Sequence, residues 1–187
     1  MITFKDYFTQ PGNKIVAIFP GAFKPPHKGH FEALNKLMEN ATEGIVYIGN
    51  PDRDNITAEQ SFKIWNIYKK YFNKPVNIEI SAISPVESTY KYVDRNLDDN
   101  NFNSFKVGVG DKGGDVSRYK SFKTNTEKYA KVKVVELDIE GGGISGTLTR
   151  ELLINKDNKA LDYLVPDCLN KEENKEDKNK VRKILDL

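Results

Sequence analysis

Short apolar runs alternate along the chain with stretches in which apolar residues recur every three or four positions. Five runs rich in valine and isoleucine are typical of buried strands. They are Lys14 to Phe19, Ile45 to Ile48, Val76 to Ile80, Phe105 to Val109 and Lys131 to Leu137. Helical patterns separate them, so the strands are expected to pair in parallel through right-handed crossovers. The pattern predicts an α/β fold with a doubly wound, five-stranded parallel sheet, which binds ligands at the carboxyl ends of its strands.

Two of the intervening helices carry clear N-terminal signals. Thr57 and Gln60 form a capping box ahead of the second helix. The third begins with Ser84 as N-cap, Pro85 in the first turn and Glu87 as the capping-box acid. These signals place helix starts shortly after the second and third strands.

The last part of the chain changes character. Gly141 to Gly143 predict a flexible joint, and a short helix over Ala160 to Leu164 should stop at Pro166. Asn170 to Lys180 is almost wholly charged or amide, which is typical of a solvated linker or helix face. We therefore predict a main domain over residues 1–169, followed by a charged linker and C-terminal helix over 170–187.

The composition narrows the class of protein. The 187 residues suit one domain, and no apolar run approaches the ~20 residues of a membrane span. The N-terminus carries no export signal, so a cytoplasmic protein is expected. A net charge of +2 predicts neither a nucleic-acid nor a membrane partner and leaves a homo-oligomer open. Cys168 is the sole cysteine, which excludes an internal disulfide.

The first candidate site follows the first strand and runs into a helix, over Pro20 to His30. Unpaired N–H groups and the helix dipole favour an anion at such a terminus. Gly21 and Gly29 allow the backbone to approach a ligand closely. The imidazoles of His27 and His30 can donate hydrogen bonds to phosphate oxygens.

Lys24 and Lys28 add positive charge to the same stretch, as a triphosphate requires. A metal site is the rival explanation for the two histidines. It is disfavoured because the chain has no third histidine and Cys168 is remote. The sequence therefore predicts a phosphate site without a protein-bound metal.

A second candidate site, Ile144 to Arg150, opens a helix after the fifth strand. Ser145 and Thr147 offer hydroxyl groups and Arg150 offers a guanidinium. An ordinary capped helix explains the same residues, because serine and threonine are favoured caps.

Together the two segments carry a family resemblance. Gly21 to His30 resembles the G-x-F-x-P-x-H-x-G-H signature of the nucleotidyltransferase superfamily related to class I aminoacyl-tRNA synthetases, a cytidylyltransferase-like group. Ile144 to Arg150 resembles its I-S-x-T-x-x-R element. With Tyr163 to Pro166, the pattern looks most like archaeal-type nicotinamide mononucleotide (NMN) adenylyltransferases. Ala22 and Lys24 depart from that subfamily, which usually has arginine and glutamine there.

The resemblance implies a Rossmann-like fold and the transfer of a nucleotidyl group, with Mg²⁺ carried by the triphosphate. The catalytic residues it implies are His27, Lys28, His30 and Arg150. The nucleotide-binding residues it implies are Gly21, Phe23, Lys24, Gly29, Gly110, Asp111, Ser145, Gly146 and Thr147. Asp111 is equally consistent with a simple turn residue, and Asp52 to Asp54 is expected to form a solvated turn.

Three functions remain open. The first is adenylyl transfer from ATP to NMN, in a pathway of NAD biosynthesis. The second keeps the chemistry but uses CTP and a phosphorylated alcohol or sugar, because phosphate contacts do not distinguish the bases. The third is a nucleotide-binding module without turnover, which a fold alone never excludes.

Overall fold

The structure is a computed structural model that describes residues 14–97, 104–110, 114–139, 145–157 and 159–187. Its centre is a five-stranded, all-parallel sheet in the order β3-β2-β1-β4-β5. The strands are β1 (Ile15–Gly21), β2 (Glu43–Ile48), β3 (Val76–Ile80), β4 (Ser104–Gly110) and β5 (Val132–Leu137). The predicted doubly wound α/β fold is confirmed, and each predicted strand lies within two residues of the observed one.

β1 occupies the middle of the sheet and pairs with two neighbours. Its carboxyl end aligns with that of β2, where Gly21 lies opposite Ile48, and its first half aligns with β4, where Ile18 lies opposite Val107. The chain therefore winds outward from β1 in both directions. In such sheets a crevice opens at the carboxyl ends of the strands where the winding direction changes.

Side chains of β1 alternate between two cores, one on each face of the sheet. Ala17 and Phe19 belong to the first core, whereas Val16 and Ile18 belong to the second. All four are 1% exposed or less, as expected for a strand covered on both faces.

Helices cover both faces. Those described are α1 (Lys28–Leu37), α2 (Ala58–Tyr68), α3 (Pro85–Leu97), α4 (Lys120–Thr124), α5 (Gly146–Ile154), α6 (Ala160–Leu164) and α7 (Lys175–Ile184). The capping box of α2 is confirmed, because the Gln60 N–H donates to Thr57 Oγ1 and the Thr57 N–H donates to Gln60 Oε1. Ser84 caps α3 by accepting from the Glu87 N–H at 3.1 Å.

The C-terminal segment is more regular than predicted. A charged linker was expected over the first part of residues 170–187, but a short 3-10 turn (Glu172–Asn174) leads directly into α7. Asp177 explains the difference, because its carboxylate accepts hydrogen bonds from Lys70 Nζ at 2.9 Å and Tyr71 Oη at 3.0 Å. The domain division at residue 169 stays a prediction.

α7 packs on α2 through its apolar side. Val181 is fully buried and Leu185 is 8% exposed, both in the first core. The Gln60 amide also donates to the Ile184 carbonyl at 2.8 Å. The C-terminal helix thus shares the core of the sheet. None of the described helices is both long enough and apolar enough to cross a membrane.

We predict that Val181→Ala lowers the free energy of unfolding by about 2 kcal/mol, because it removes buried methyl groups and leaves a cavity. Urea denaturation measures the change. Lys183→Ala, on the exposed side of the same helix, is the control and should leave the midpoint nearly unchanged. Equal midpoints for the two variants would contradict the docking of α7.

Candidate functional site: a phosphate-binding crevice

The loop after β1 delivers the first motif to the start of α1. His27 is the N-cap of α1 and has an extended backbone. Gly29 lies in the first turn, and a Cβ there would clash with the carbonyl oxygen of Ile139 beyond β5. Glycine at this position therefore lets the helix terminus approach the end of β5. The first turn of α1 contains no acidic residue, so its dipole favours an external anion.

The rings of the two histidines pack against each other. Their ring centroids lie 3.7 Å apart with planes inclined by 35°. The His27 backbone N–H donates to His30 Nδ1 at 3.2 Å. A neutral imidazole that accepts at Nδ1 carries its proton on Nε2, so His30 is left with one donor for a ligand.

Burial, and secondarily His27, hold the pKa of His30 well below its ordinary value of 6.5. The ring is therefore neutral at physiological pH when no anion is bound. The Phe23 ring meets the His30 ring edge-on at 5.0 Å and the Trp65 ring at 5.3 Å. This packing fixes the plane of the imidazole.

Lys24 is almost completely buried, at 3% exposure. Its ammonium donates to the carbonyls of Gly49 at 2.7 Å and Ala22 at 3.0 Å. Burial lowers the pKa of Lys24, and the nearby Asp52 opposes this shift. Two of its three N–H groups are therefore engaged in bridging the loop after β1 to the end of β2.

The guanidinium of Arg150 connects three segments, and the residue is 8% exposed. Nη1 donates to the carbonyl of Lys24 at 3.2 Å, and Nη2 donates to Thr147 Oγ1 at 3.2 Å. Nε pairs with Asp54 Oδ2 at 2.6 Å. Because a guanidinium has five N–H groups, one on each terminal nitrogen is left for a ligand.

Two adjoining cavities open along the carboxyl ends of the strands. The smaller, about 310 Å³, includes Phe23, His30, Gly146, Thr147 and Arg150 in its lining. The larger, about 570 Å³, extends toward the start of α3. Both are lined by Pro20, Gly21, Ala22, Lys24, Arg53, Gly110 and Asp115. They therefore form one crevice with a shared, mainly basic centre.

Most predicted site residues line this crevice. They are Gly21, Phe23, Lys24, His30, Gly110, Gly146, Thr147 and Arg150. Asp111 and Ile144 lie outside the described residues, as does the predicted glycine joint from Gly141 to Gly143. The structure thus joins segments that are more than a hundred residues apart in the sequence.

Four predicted residues occupy other positions. Lys28 points to Asp167, with its Nζ 2.6 Å from the carboxylate, instead of lining the crevice. Gly29 and His27 lie behind His30, and His27 is 1% exposed.

Ser145 is the fourth of these residues. Its hydroxyl accepts from the Leu148 N–H at 3.1 Å, so it caps α5, and its side chain does not line the crevice. Its contact to phosphate stays a prediction.

The turn after β2 is exposed over Asp52 to Asp54, as expected of a solvated turn. It also contributes to the site, because Arg53 lines both cavities and Asp54 pairs with Arg150. Asp115 also lines both cavities. An acid or a base in a polar turn carries no local signal of such a role. The position of the turn directly after a central strand was the available signal.

Protein groups alone do not make a metal cage in the described part of the chain, where no cluster of three or more His, Cys, Asp or Glu side chains is arranged to hold an ion. Asp115 supplies carboxylate oxygen to the crevice. This donor set fits a hard cation that is held mainly by phosphate oxygens and water.

Comparisons with known proteins agree with this architecture. The chain is 29% identical to the nicotinamide-nucleotide adenylyltransferase of Pyrobaculum aerophilum over 87 residues, which are 44% of this chain and 46% of that protein. It is 23% identical to the phosphopantetheine adenylyltransferase of Wigglesworthia glossinidia brevipalpis over 171 residues, which are 90% of this chain and 96% of that protein. Both relatives are adenylyltransferases, which are nucleotidyltransferases. No family model matches the chain.

A comparison with solved structures bears on the fold. A bifunctional NMN adenylyltransferase/ADP ribose pyrophosphatase from Francisella tularensis, complexed with AMP and a manganese ion, superposes with a TM-score of 0.60. Identity is 18%, over 93% of this chain and 49% of that one. The chain thus spans about half the length of the Pyrobaculum and Francisella proteins. Its relatives by sequence are nucleotidyltransferases, and its fold is that of the Francisella protein.

We predict that acid destabilises the protein through His30. Between its lowered pKa and the ordinary value of 6.5, the unfolded chain binds a proton that the folded chain does not. Stability therefore falls as the pH is lowered through this window, by at most ~1.4 kcal/mol per pH unit. Urea denaturation of the wild type and of His30→Gln from about pH 7 to pH 5 measures the slope, which should be smaller in the variant. The same slope in both proteins would contradict the assignment.

Proposed function

We propose that the chain is an adenylyltransferase that joins ATP to a phosphorylated acceptor, NMN in the first instance, and releases pyrophosphate. The observation that carries the proposal is the crevice at the carboxyl ends of the central strands. It gathers Lys24, His30, Arg53 and Arg150 beside the first turns of α1 and α5. This combination of cations, donors and helix termini suits a polyphosphate.

The proposed reaction needs neither a protein nucleophile nor a general base. An oxygen of the acceptor phosphate, which is already anionic, bonds to the α-phosphorus of ATP. The bond from this phosphorus to the oxygen bridging the β-phosphate breaks, and pyrophosphate leaves with the electron pair. Catalysis then consists of positioning and of stabilising the charge that develops.

Each residue of the crevice contributes to positioning or to charge stabilisation according to where it lies. The Nε2–H group of His30 donates a hydrogen bond to an oxygen near the α-phosphorus, where negative charge develops. Arg150 and Thr147 hold the β- and γ-phosphates at the start of α5. The centroid of the His27 ring lies 3.7 Å from that of the His30 ring, and this contact fixes the orientation of the His30 imidazole.

Mg²⁺ is the proposed metal, carried in by the triphosphate, and Asp115, which lines the crevice, would help to hold it. When bound, the ion would neutralise phosphate charge. The Francisella protein is described with a manganese ion, which supports the use of a divalent cation. We place the activity in the cytoplasm.

The larger cavity is proposed to hold the acceptor. Pro51, Pro85, Val86 and Tyr119 give it apolar walls next to the shared basic centre, and Ile83 at its edge is 66% exposed. A phosphorylated molecule with an apolar portion matches this arrangement. Phosphopantetheine is the second candidate acceptor, because the Wigglesworthia relative aligns over 90% of this chain.

We predict that His30→Ala lowers kcat for pyrophosphate release by ~10²–10³, because it removes a donor to the charge that develops in the transition state. Asn35→Ala, on the exposed side of the same helix, is the control and should retain wild-type kcat. Urea denaturation at pH 7.5 verifies that both variants are folded. A near-normal kcat for a folded His30→Ala variant would remove His30 from the reaction centre.

We predict that kcat/KM is highest for ATP with NMN. Pyrophosphate release is measured for ATP and CTP, each with NMN, phosphopantetheine and glycerol phosphate. A site built for one base leaves polar groups unpaired with another, so one triphosphate should be clearly preferred. Preference for CTP, or for phosphopantetheine, would overturn the substrate assignment and keep the reaction class. Absence of turnover with every pair would instead support a nucleotide-binding module.

A further inference from the structure

We infer that Asp54 is a positioning residue that holds Arg150, and with it Arg53, for the polyphosphate. The inference rests on the proposed function, since it concerns the same crevice. One carboxylate oxygen, Asp54 Oδ2, lies 2.6 Å from Arg150 Nε and 3.8 Å from Arg53 Nε. Both arginines line the smaller cavity.

The carboxylate supports Arg150 from outside the crevice. Arg150 lines the smaller cavity, whereas Asp54 lines neither of the two cavities. Asp54 binds Nε of Arg150, so both terminal nitrogens of the guanidinium are left to contact other groups. Lys24 and Thr147 take one N–H from each of these nitrogens. One N–H group on each terminal nitrogen is left to contact a phosphate.

The pairing also offsets a repulsion. Arg53 and Arg150 are like charges brought to one cavity from segments almost a hundred residues apart in the sequence. When no phosphate is bound, their repulsion would favour conformations in which one side chain turns away. The shared oxygen of Asp54 lowers this cost and keeps both guanidinium groups near the cavity.

Local structure holds Asp54 in place. The Arg53 N–H donates to the Ile56 carbonyl at 3.0 Å, and the Ile56 N–H donates to the Arg53 carbonyl at 2.9 Å. The two central residues, Asp54 and Asn55, have φ of 50° and 64°, as in a type I′ turn. The turn is anchored to α2, because Asp52 Oδ1 accepts from the Ala58 N–H at 3.2 Å.

Asp54→Asn is the decisive variant. Asparagine keeps the shape of the side chain and tolerates a positive φ, so the turn is retained while the charge is lost. We expect the Kd for inorganic pyrophosphate, measured by calorimetry, to rise about three- to tenfold, the range that the loss of one hydrogen bond gives. The KM for ATP should rise similarly, with a smaller change in kcat, because the contact to the leaving phosphates precedes the reaction.

Two further variants separate positioning from a structural effect. In an Arg150→Ala background, Asp54→Asn should lose most of its influence on the Kd for pyrophosphate, because its main partner is gone. Glu59→Gln removes a carboxylate from an exposed pair with Lys63 on α2 and should leave the Kd unchanged.

Unchanged or tighter pyrophosphate binding by Asp54→Asn would overturn the inference, and tighter binding would mean that Asp54 competes with phosphate for Arg150. An equally large effect in the Arg150→Ala background would overturn it too. These measurements do not need turnover. If the wild type binds pyrophosphate but transfers no nucleotide, the proposed function fails and the role of Asp54 stands. If the wild type binds no pyrophosphate, both fail.

Discussion

The parallel pairing of β1 with both β2 and β4 is the constraint on which the remaining structure depends. Because the strands are parallel and β1 lies in the middle, β1, β2 and β4 all end at the same edge of the sheet, where the winding direction changes. The crevice lies at this edge. Pro20 to Pro25 form its floor, the turn around Arg53 forms one wall, and Gly110 and Asp115 form the opposite one.

A crevice that collects cations must keep them in place before an anion arrives. The structure meets this requirement with fixed oxygen atoms. Lys24 donates to two backbone carbonyls, and Arg150 is held by a carbonyl, a hydroxyl and a carboxylate. His30 differs from these cations, because burial holds the pKa of its imidazole low and keeps the side chain neutral. Its proton on Nε2 is a donor without the desolvation cost of a buried charge.

The C-terminal helices are linked to the crevice through α2. The hydroxyl of Tyr68 donates to the Leu164 carbonyl at 2.7 Å, which ties α2 to α6. At its other end, α2 presents Ser61, whose hydroxyl donates to the carbonyl of Phe23 in the loop after β1. Asp167 adds a direct link by pairing with Lys28. The C-terminal part of the chain therefore helps to hold the loop after β1 in position.

The sequence by itself determined the elements and both motifs, because strand runs, caps and glycine-bearing turns are set by local sterics and hydrogen bonding. The strand positions, the capping box at Thr57 and the end of the short helix at Leu164 could all be predicted from neighbouring residues. Only the tertiary structure decided which charged groups meet. Lys28 pairs with Asp167, which is 139 positions away in the sequence. Arg150 pairs with Asp54, which is 96 positions away. Pairing over such distances depends on the winding of the sheet and on competition for a few carboxylate oxygen atoms, neither of which leaves a local pattern in the sequence.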